Sequence, residues 1–279
     1  MPRTQPRSAT RQPLRLLRDQ IAGIENRATP GIPTSRVPLG HARLDRRLSG
    51  GLRRDALHEI VAARPGDHPA AAGFALALAA RLRLAPKPIV WISEDFAASE
   101  WGAPYGPGLL RHGIDPQWLL LIHAASAKEA LWAMEEALKC GASSAVIGEI
   151  FTAKFYDLAA SRRLILAAQK QATPALLFFT GFAGADALSS GADTRFEIRA
   201  RPSLRQESAG RRLPLPGSPA WSVRIAKARA GPAGLALDPT FHPVFWTEGQ
   251  FSDALPLPLA SVSADGSDRP EASQQALAS

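Results

Sequence analysis

The stretch EIVAARPGDHPAAAGFALALA (residues 59–79) decides the fold. It reads as an apolar strand, a turn-rich loop and an apolar helix whose first turn suits Pro69. The pattern then repeats along the chain. Strands are expected at 56–62 (ALHEIVA), 88–94 (PIVWISE), 118–124 (WLLLIHA), 143–150 (SSAVIGEI) and 174–180 (PALLFFT). Helices are expected at 69–83, 106–113, 127–141 and 155–172. Apolar strands alternating with helices imply a parallel sheet covered on both faces. After Arg195 the style changes. TRFEIRARP, WSVRIAKAR and FHPVFWTE are short, alternating and bounded by turns, which predicts antiparallel strands at one sheet edge. The expected class is therefore α/β: a mostly parallel central sheet, helices on both faces, and antiparallel edge strands on the C-terminal side.

Three regions follow. Residues 1–36 form a basic N-terminal arm with one helix and a Pro/Gly linker. Its helix runs from Pro13 to Arg27, with Leu14, Leu17, Ile21 and Ile24 at helical spacing on one face, a stripe that packs either on the chain's own core, the favoured reading, or on another protein as a candidate partner-binding face. Residues 37–249 form the core domain. Residues 250–279, rich in Ser, Ala, Pro and Asp, are expected to be a disordered tail.

Among 279 residues, 46% are hydrophobic and the formal charge is +8. The charge is unevenly placed. Residues 1–36 carry seven Arg against Asp19 and Glu25, and residues 195–229 carry nine basic side chains against Glu197 and Glu207. That asymmetry points to a polyanionic or acidic partner, or to a solvated face. The longest apolar run, Ala70 to Ala80, is too short to span a bilayer, and the N-terminus has no apolar segment of signal type. Cys140 is the single cysteine, and the six His show no metal-ligand spacing. No metal, cofactor or membrane contact is expected, and the cytoplasm is the simplest location. Trp101 and Tyr105, in a long loop over 94–114, either stack on single-stranded bases or cap the sheet's carboxyl edge; capping is favoured.

The segment VPLGHARLDRRLSGGLRRDALHEIVA (37–62) carries the most information. Pro-Leu-Gly, then Leu44-Asp45, Leu48 and Gly50-Gly51-Leu52, then an apolar strand, resembles the lead-in to a RecA-type core. The glycines suit a tight reversal with positive φ. In that family the first strand runs into Gly-x4-Gly-Lys-Thr, whose amides and lysine hold phosphate and whose Thr holds magnesium. On this chain Ala62 takes the first Gly, Asp67 the second, His68 the Lys and Pro69 the Thr. Glu94 matches the water-activating glutamate at the end of the second strand. Glu149 stands near the position of the strand-terminal Asp, and Thr180-Gly181 replace the Asn-Gln γ-phosphate sensor. WSVRIAKARAGPAG (221–234) resembles the strand whose two lysines reach a neighbouring protomer's ATP, with Lys227 and Arg229 at those positions. They are candidates for a retained protein–protein face or are two cations on an exposed edge strand.

A RecA-like core without its phosphate loop resembles the ImuA (inducible mutagenesis protein A) family over about residues 37–247. The resemblance implies a non-catalytic accessory role in SOS-induced error-prone translesion DNA synthesis. It further implies contacts with an ImuB-like protein, a DnaE-type error-prone polymerase and RecA, in the cytoplasm and at the nucleoid when induced. The vestigial nucleotide-site positions would be Ala62, Asp67, His68, Pro69, Glu94, Glu149 and Gly181, with no catalytic residue and no bound cofactor. Direct DNA contact would come through basic residues 195–229. The alternatives are a RecA/RadA-like DNA-dependent ATPase with a deviant loop and a SulA-like division inhibitor.

Overall fold

The computed structural model describes residues 35–181, 188–203, 207–208, 211–212, 217–229, 231–232 and 238–253. The stripe of Leu14, Leu17, Ile21 and Ile24, the tail beyond 253, and part of the 181–193 loop lie outside the described residues.

A nine-stranded sheet organises the chain. The strands joining it are β3 (Leu57–Ala62), β4 (Ile89–Glu94), β5 (Leu119–Ala124), β6 (Ala145–Ile150), β7 (Ala175–Phe179), β8 (Thr194–Ala200), β11 (Ala220–Ala228), β12 (His242–Thr247) and β13 (Gln250–Ser252). Their spatial order is β13-β12-β11-β8-β3-β7-β6-β4-β5. From β8 to β5 all neighbours are parallel; β11, β12 and β13 pair antiparallel. This is the α/β architecture expected. One element differs. TRFEIRA, expected as an antiparallel edge strand, is β8, and it runs parallel beside the central β3. Its alternation arises because only one of its faces is packed with apolar side chains.

Two short pairs complete the strands: β1 (Arg36–Val37) with β2 (Leu52–Arg53), and β9 (Glu207–Ser208) with β10 (Arg211–Arg212). The helices are α1 (Ala42–Arg47), α2 (His68–Leu82), α3 (Asp95–Trp101), α4 (Gly106–Arg111), α5 (Ala127–Cys140) and α6 (Leu158–Gln171). Helix α3 occupies part of the stretch expected to be a long loop.

Connection direction assigns the faces. The chain moves one way across the sheet from β3 through α2 to β4, and back through α5 and α6. Right-handed crossovers therefore put α2 on one face and α5 and α6 on the other. The two buried clusters agree. One joins Phe74 and Leu78 of α2 to Ile60, Trp91, Ile147, Phe178 and Phe196. The second joins Leu131 and Met134 of α5 and Leu164 of α6 to Val61, Ile92, Val146 and Leu177. Helix α2 is apolar nearly all round because it is buried nearly all round. Its Phe74 ring lies 5.4 Å from Phe196, 5.6 Å from Trp221 and 5.2 Å from Phe251.

The lead-in motif also has a packing explanation. Leu39, Leu44, Leu48 and Leu52 are all buried in the α2-side cluster. The Asp45 carboxylate accepts from the N–H groups of Leu39 (2.7 Å) and Gly40 (3.0 Å), and its own carbonyl accepts from Gly50 (2.7 Å). Gly50 and Gly51 adopt φ of +100° and +129°, as the reversal requires.

Candidate functional site

In this architecture ligands bind outside the carboxyl ends of the parallel strands. The residues singled out from sequence converge there, on the ends of β3, β4, β6 and β7.

The loop after β3 closes on itself. Ala63 donates to the Ile198 carbonyl of β8 (2.8 Å), and Asp67 N–H donates to the Arg64 carbonyl (3.0 Å). Pro65 and Gly66 are the two central residues, and Gly66 has φ +103°. Proline then glycine with positive φ fits a type II turn. A phosphate cradle needs several N–H groups pointing inward. Here those of Ala63 and Asp67 are used within the chain, and Pro65 and Pro69 have none.

Asp67 is 4% exposed. One oxygen accepts from the Ala200 N–H of β8 (2.8 Å), the other from Arg64 Nε (3.2 Å). Its carboxylate precedes the first turn of α2, so it supplies the negative charge that a helix N-terminus favours. A phosphate there would meet that charge.

His68 opens α2 and is 5% exposed. Its ring lies 5.0 Å from Trp101, tilted by 53°. Its Nδ1 has no partner among the described residues. Burial pulls the imidazole below its ordinary range, against the opposing pull of the Phe179 backbone and the Asp67 charge. Trp101, at the end of α3, thus lies over the helix start, as the capping role requires. Tyr105 is 74% exposed and lies apart from that stack.

The acids are occupied. Glu94 is buried and accepts from the Phe151 N–H (2.7 Å), tying β4 to the segment after β6. Glu149 is buried within β6 and accepts from Trp91 Nε1 (3.0 Å) and Ser93 Oγ (2.7 Å). Burial pushes its carboxyl above the usual range, against the pull of those two donors. Thr180 and Gly181 donate to the Ile150 and Phe151 carbonyls at 2.9 and 2.8 Å. A side chain at Gly181 would collide with the Phe151 carbonyl oxygen, so the position that senses phosphate in the resembling family is here a backbone crossing. Among the described residues no group of three or more His, Cys, Asp or Glu could hold a metal ion.

Lys227 and Arg229 both reach the 188–193 segment. Lys227 Nζ donates to the Ser190 carbonyl (2.6 Å) and is pulled below its ordinary range by burial. Arg229 donates to the Gly191 carbonyl (3.4 Å) from its side chain and to the Asp193 carbonyl (2.7 Å) from its backbone.

Sequence reading missed a buried charge cluster beneath this edge. Glu59 of β3 is fully buried. It accepts from the Tyr156 hydroxyl and from Arg195 Nε (2.7 Å), its register neighbour on β8. Arg195 also donates to the Leu188 carbonyl (2.8 Å) and Ser190 Oγ (3.3 Å). Burial, with Glu59 adding to it, pushes the Tyr156 hydroxyl well above its ordinary value. A lone glutamate inside the apolar strand LHEIVA was the signal in the sequence. What it lacked was the partner, 136 residues away.

The site therefore binds itself: each of its carboxylates accepts from a backbone N–H or a buried side chain, Asp67 also from the exposed Arg64, and Trp101 lies beside the helix N-terminus. No helix among the described residues is long and apolar enough to cross a membrane. Scanned against protein-family models and against curated proteins, the chain finds no match.

Proposed function

We propose that this chain is a non-catalytic, RecA-like accessory protein of the ImuA type. It supports damage-induced, error-prone translesion synthesis by contacting an ImuB-like protein, a DnaE-type polymerase and RecA, in the cytoplasm and at the nucleoid. The observation that carries this reading is the Arg64–Asp67 turn. Where a nucleotide-binding relative would open its loop around phosphate, this loop is shut by an internal hydrogen bond. It is also pinned to β8 through the Asp67–Ala200 bond. Strand, turn and helix are kept while the groups that would hold phosphate and magnesium are replaced. A fold maintained without nucleotide chemistry acts through its surfaces.

Titration calorimetry with ATP and magnesium tests the absence of chemistry: no binding heat is expected, and micromolar affinity overturns the reading. Co-purification from DNA-damaged cells tests the partners. Recovery of a polymerase-like protein and RecA supports the role, and their absence from a well-expressed bait removes it.

A further inference from the structure

The two edges of the nine-stranded sheet are finished differently. At one edge β13 is three residues long, and its Phe251 N–H donates to the Leu39 carbonyl (3.0 Å), so the lead-in segment covers it. At the other edge β5 runs six residues in unbroken register with β4. Its first N–H bonds back to Pro116, and beyond that no backbone hydrogen bond among the described residues reaches its outer side. An edge strand offers its outward amides and carbonyls as a template for another strand, and proteins blunt such edges with charge, proline or a bulge. LLLIHA (119–124) has none of these. It is apolar on both faces instead. Leu119 and Leu121 pack on the α2-side cluster, Ile122 and Ala124 on the α5-side cluster. Leu120 shares the α5 face with Ile122 and is 52% exposed, while Leu119, Leu121 and Ile122 stay half-buried.

The ends of the strand say what fits it. At the amino end the Arg83 guanidinium lies 5.6 Å from the Trp118 ring centre, and its Nε has no acceptor among the described residues. Asp115, the acid at that end, holds Gln117 with both oxygens, at 3.0 and 2.7 Å. At the carboxyl end stands Asp95, 3.9 Å from His123 and with its side chain 58% exposed. A second β5 laid antiparallel exchanges the ends, and so brings Arg83 of each copy to the end that carries Asp95 of the other. Centred on Leu121, the same pairing sets Leu121 against itself, Leu120 against the second copy's Ile122 and Leu119 against its His123. The strand carries no Asp, Glu, Lys or Arg, so no such charges of like sign face each other across it. A two-fold contact requires this self-complementarity and closes at two copies.

We propose that β5 pairs antiparallel with β5 of a second copy of this chain, giving a closed dimer with one sheet running through both. This goes beyond the accessory role proposed above and does not depend on it.

The test is sedimentation velocity of the full-length chain from about 1 to about 100 μM. The mass is expected to rise with concentration from one chain to two and to stop there. Leu120→Lys should weaken the dimer about tenfold, because a charge then lies against Ile122 of the other copy at both symmetric positions. Trp132→Lys, at a 64% exposed position on α5, should change nothing. Arg83→Glu and Asp95→Arg should each weaken the dimer, and the two reversals combined should restore it. Equal melting temperatures establish that the variants fold. A chain that stays monomeric at the top concentration, one that keeps growing past two copies, or a dimer indifferent to Leu120→Lys overturns the proposal. An equal loss in Trp132→Lys does the same, since association then rests on any exposed apolar side chain. So does a double reversal as weak as the single ones, since the two ends then do not meet. None of these outcomes bears on the calorimetric test for ATP.

Discussion

The Asp67 carboxylate accepts a hydrogen bond from the backbone of Ala200, 133 residues further along the chain, at 2.8 Å. That contact fastens the turn after β3 to the end of β8; the carboxylate is buried, and Ala200 is exposed. Asp67→Ala leaves the Ala200 N–H without its partner. The expected loss is about 0.5–1.5 kcal/mol, the net contribution of one hydrogen bond whose donor lies on an exposed residue. Urea unfolding of the two proteins at neutral pH measures it. A loss below ~0.5 kcal/mol would mean that water replaces the carboxylate and the turn is not fastened this way.

On the proposed reading, the closure of the turn, rather than the missing lysine alone, is what excludes phosphate. Installing the lysine and threonine as His68→Lys/Pro69→Thr should therefore not create ATP binding. The Arg64–Asp67 hydrogen bond and the Asp67 charge remain in the double variant. Calorimetry with ATP and magnesium should stay flat. Heat of binding in that variant would show the loop opens once the side chains are right.

Glu59 and Arg195 form an ion pair in the sheet interior, with side-chain exposures of 0% and 7%. Breaking a buried pair on one side strands the remaining charge, at about 3–5 kcal/mol. Glu59→Gln should lose that much in urea unfolding. Removing both charges as Glu59→Leu/Arg195→Met should recover a large part of it. If the double variant is as unstable as the sum of the single changes, the pair's contribution lies in its bonds to Tyr156, Leu188 and Ser190 and not in the charges.

Glu149 gives a pH-dependent prediction. Its carboxyl titrates above its ordinary value of 4.5 because burial disfavours the charged form. Between 4.5 and the raised value the native state binds the proton that the unfolded chain has released. Its stabilising contribution is thus present below about pH 4.5 and lost as pH rises through the native value. Glu149→Gln keeps an acceptor for Trp91 and Ser93 without a charge. It should be more stable than the parent at about pH 7.5, and the advantage should vanish near pH ~4. An advantage independent of pH would refute a buried charge as its cause.

The buried histidines oppose that trend. His58 is fully buried; its Nε2 donates to the Arg53 carbonyl and its Nδ1 pairs with Thr194 Oγ1, both at 2.8 Å. His58, His68 and His112 all titrate below about 6.5, with burial the leading cause in each. As pH falls below about 6.5 the unfolded chain takes protons that the native chain refuses, so stability falls. Melting temperature followed from about pH 7.5 to about pH 5 in the Glu149→Gln background should decline; a flat profile would show that these rings protonate without cost.

Local rules carried much of this architecture. Apolar strands alternating with helices gave the parallel sheet, because burial on both faces demands continuous apolar runs. The glycines of the lead-in reversed the chain as their φ freedom allows. In the loop after β3, proline and glycine made a turn where phosphate amides would be needed, and the sequence alone showed Asp67, His68 and Pro69 in place of the usual groups. What the tertiary structure decided lies between distant residues. Asp67 found Ala200 and Glu59 found Arg195, because neighbouring strands in the sheet are far apart along the chain. The same fact moved TRFEIRA from an expected antiparallel edge to the strand beside β3. Its alternation reports only that one face is polar, and on that face Arg195 and Glu197 are buried in pairs with Glu59 and Arg224. Periodicity within a strand records which side is polar; only the packed fold records which strand lies alongside and whether that side is buried.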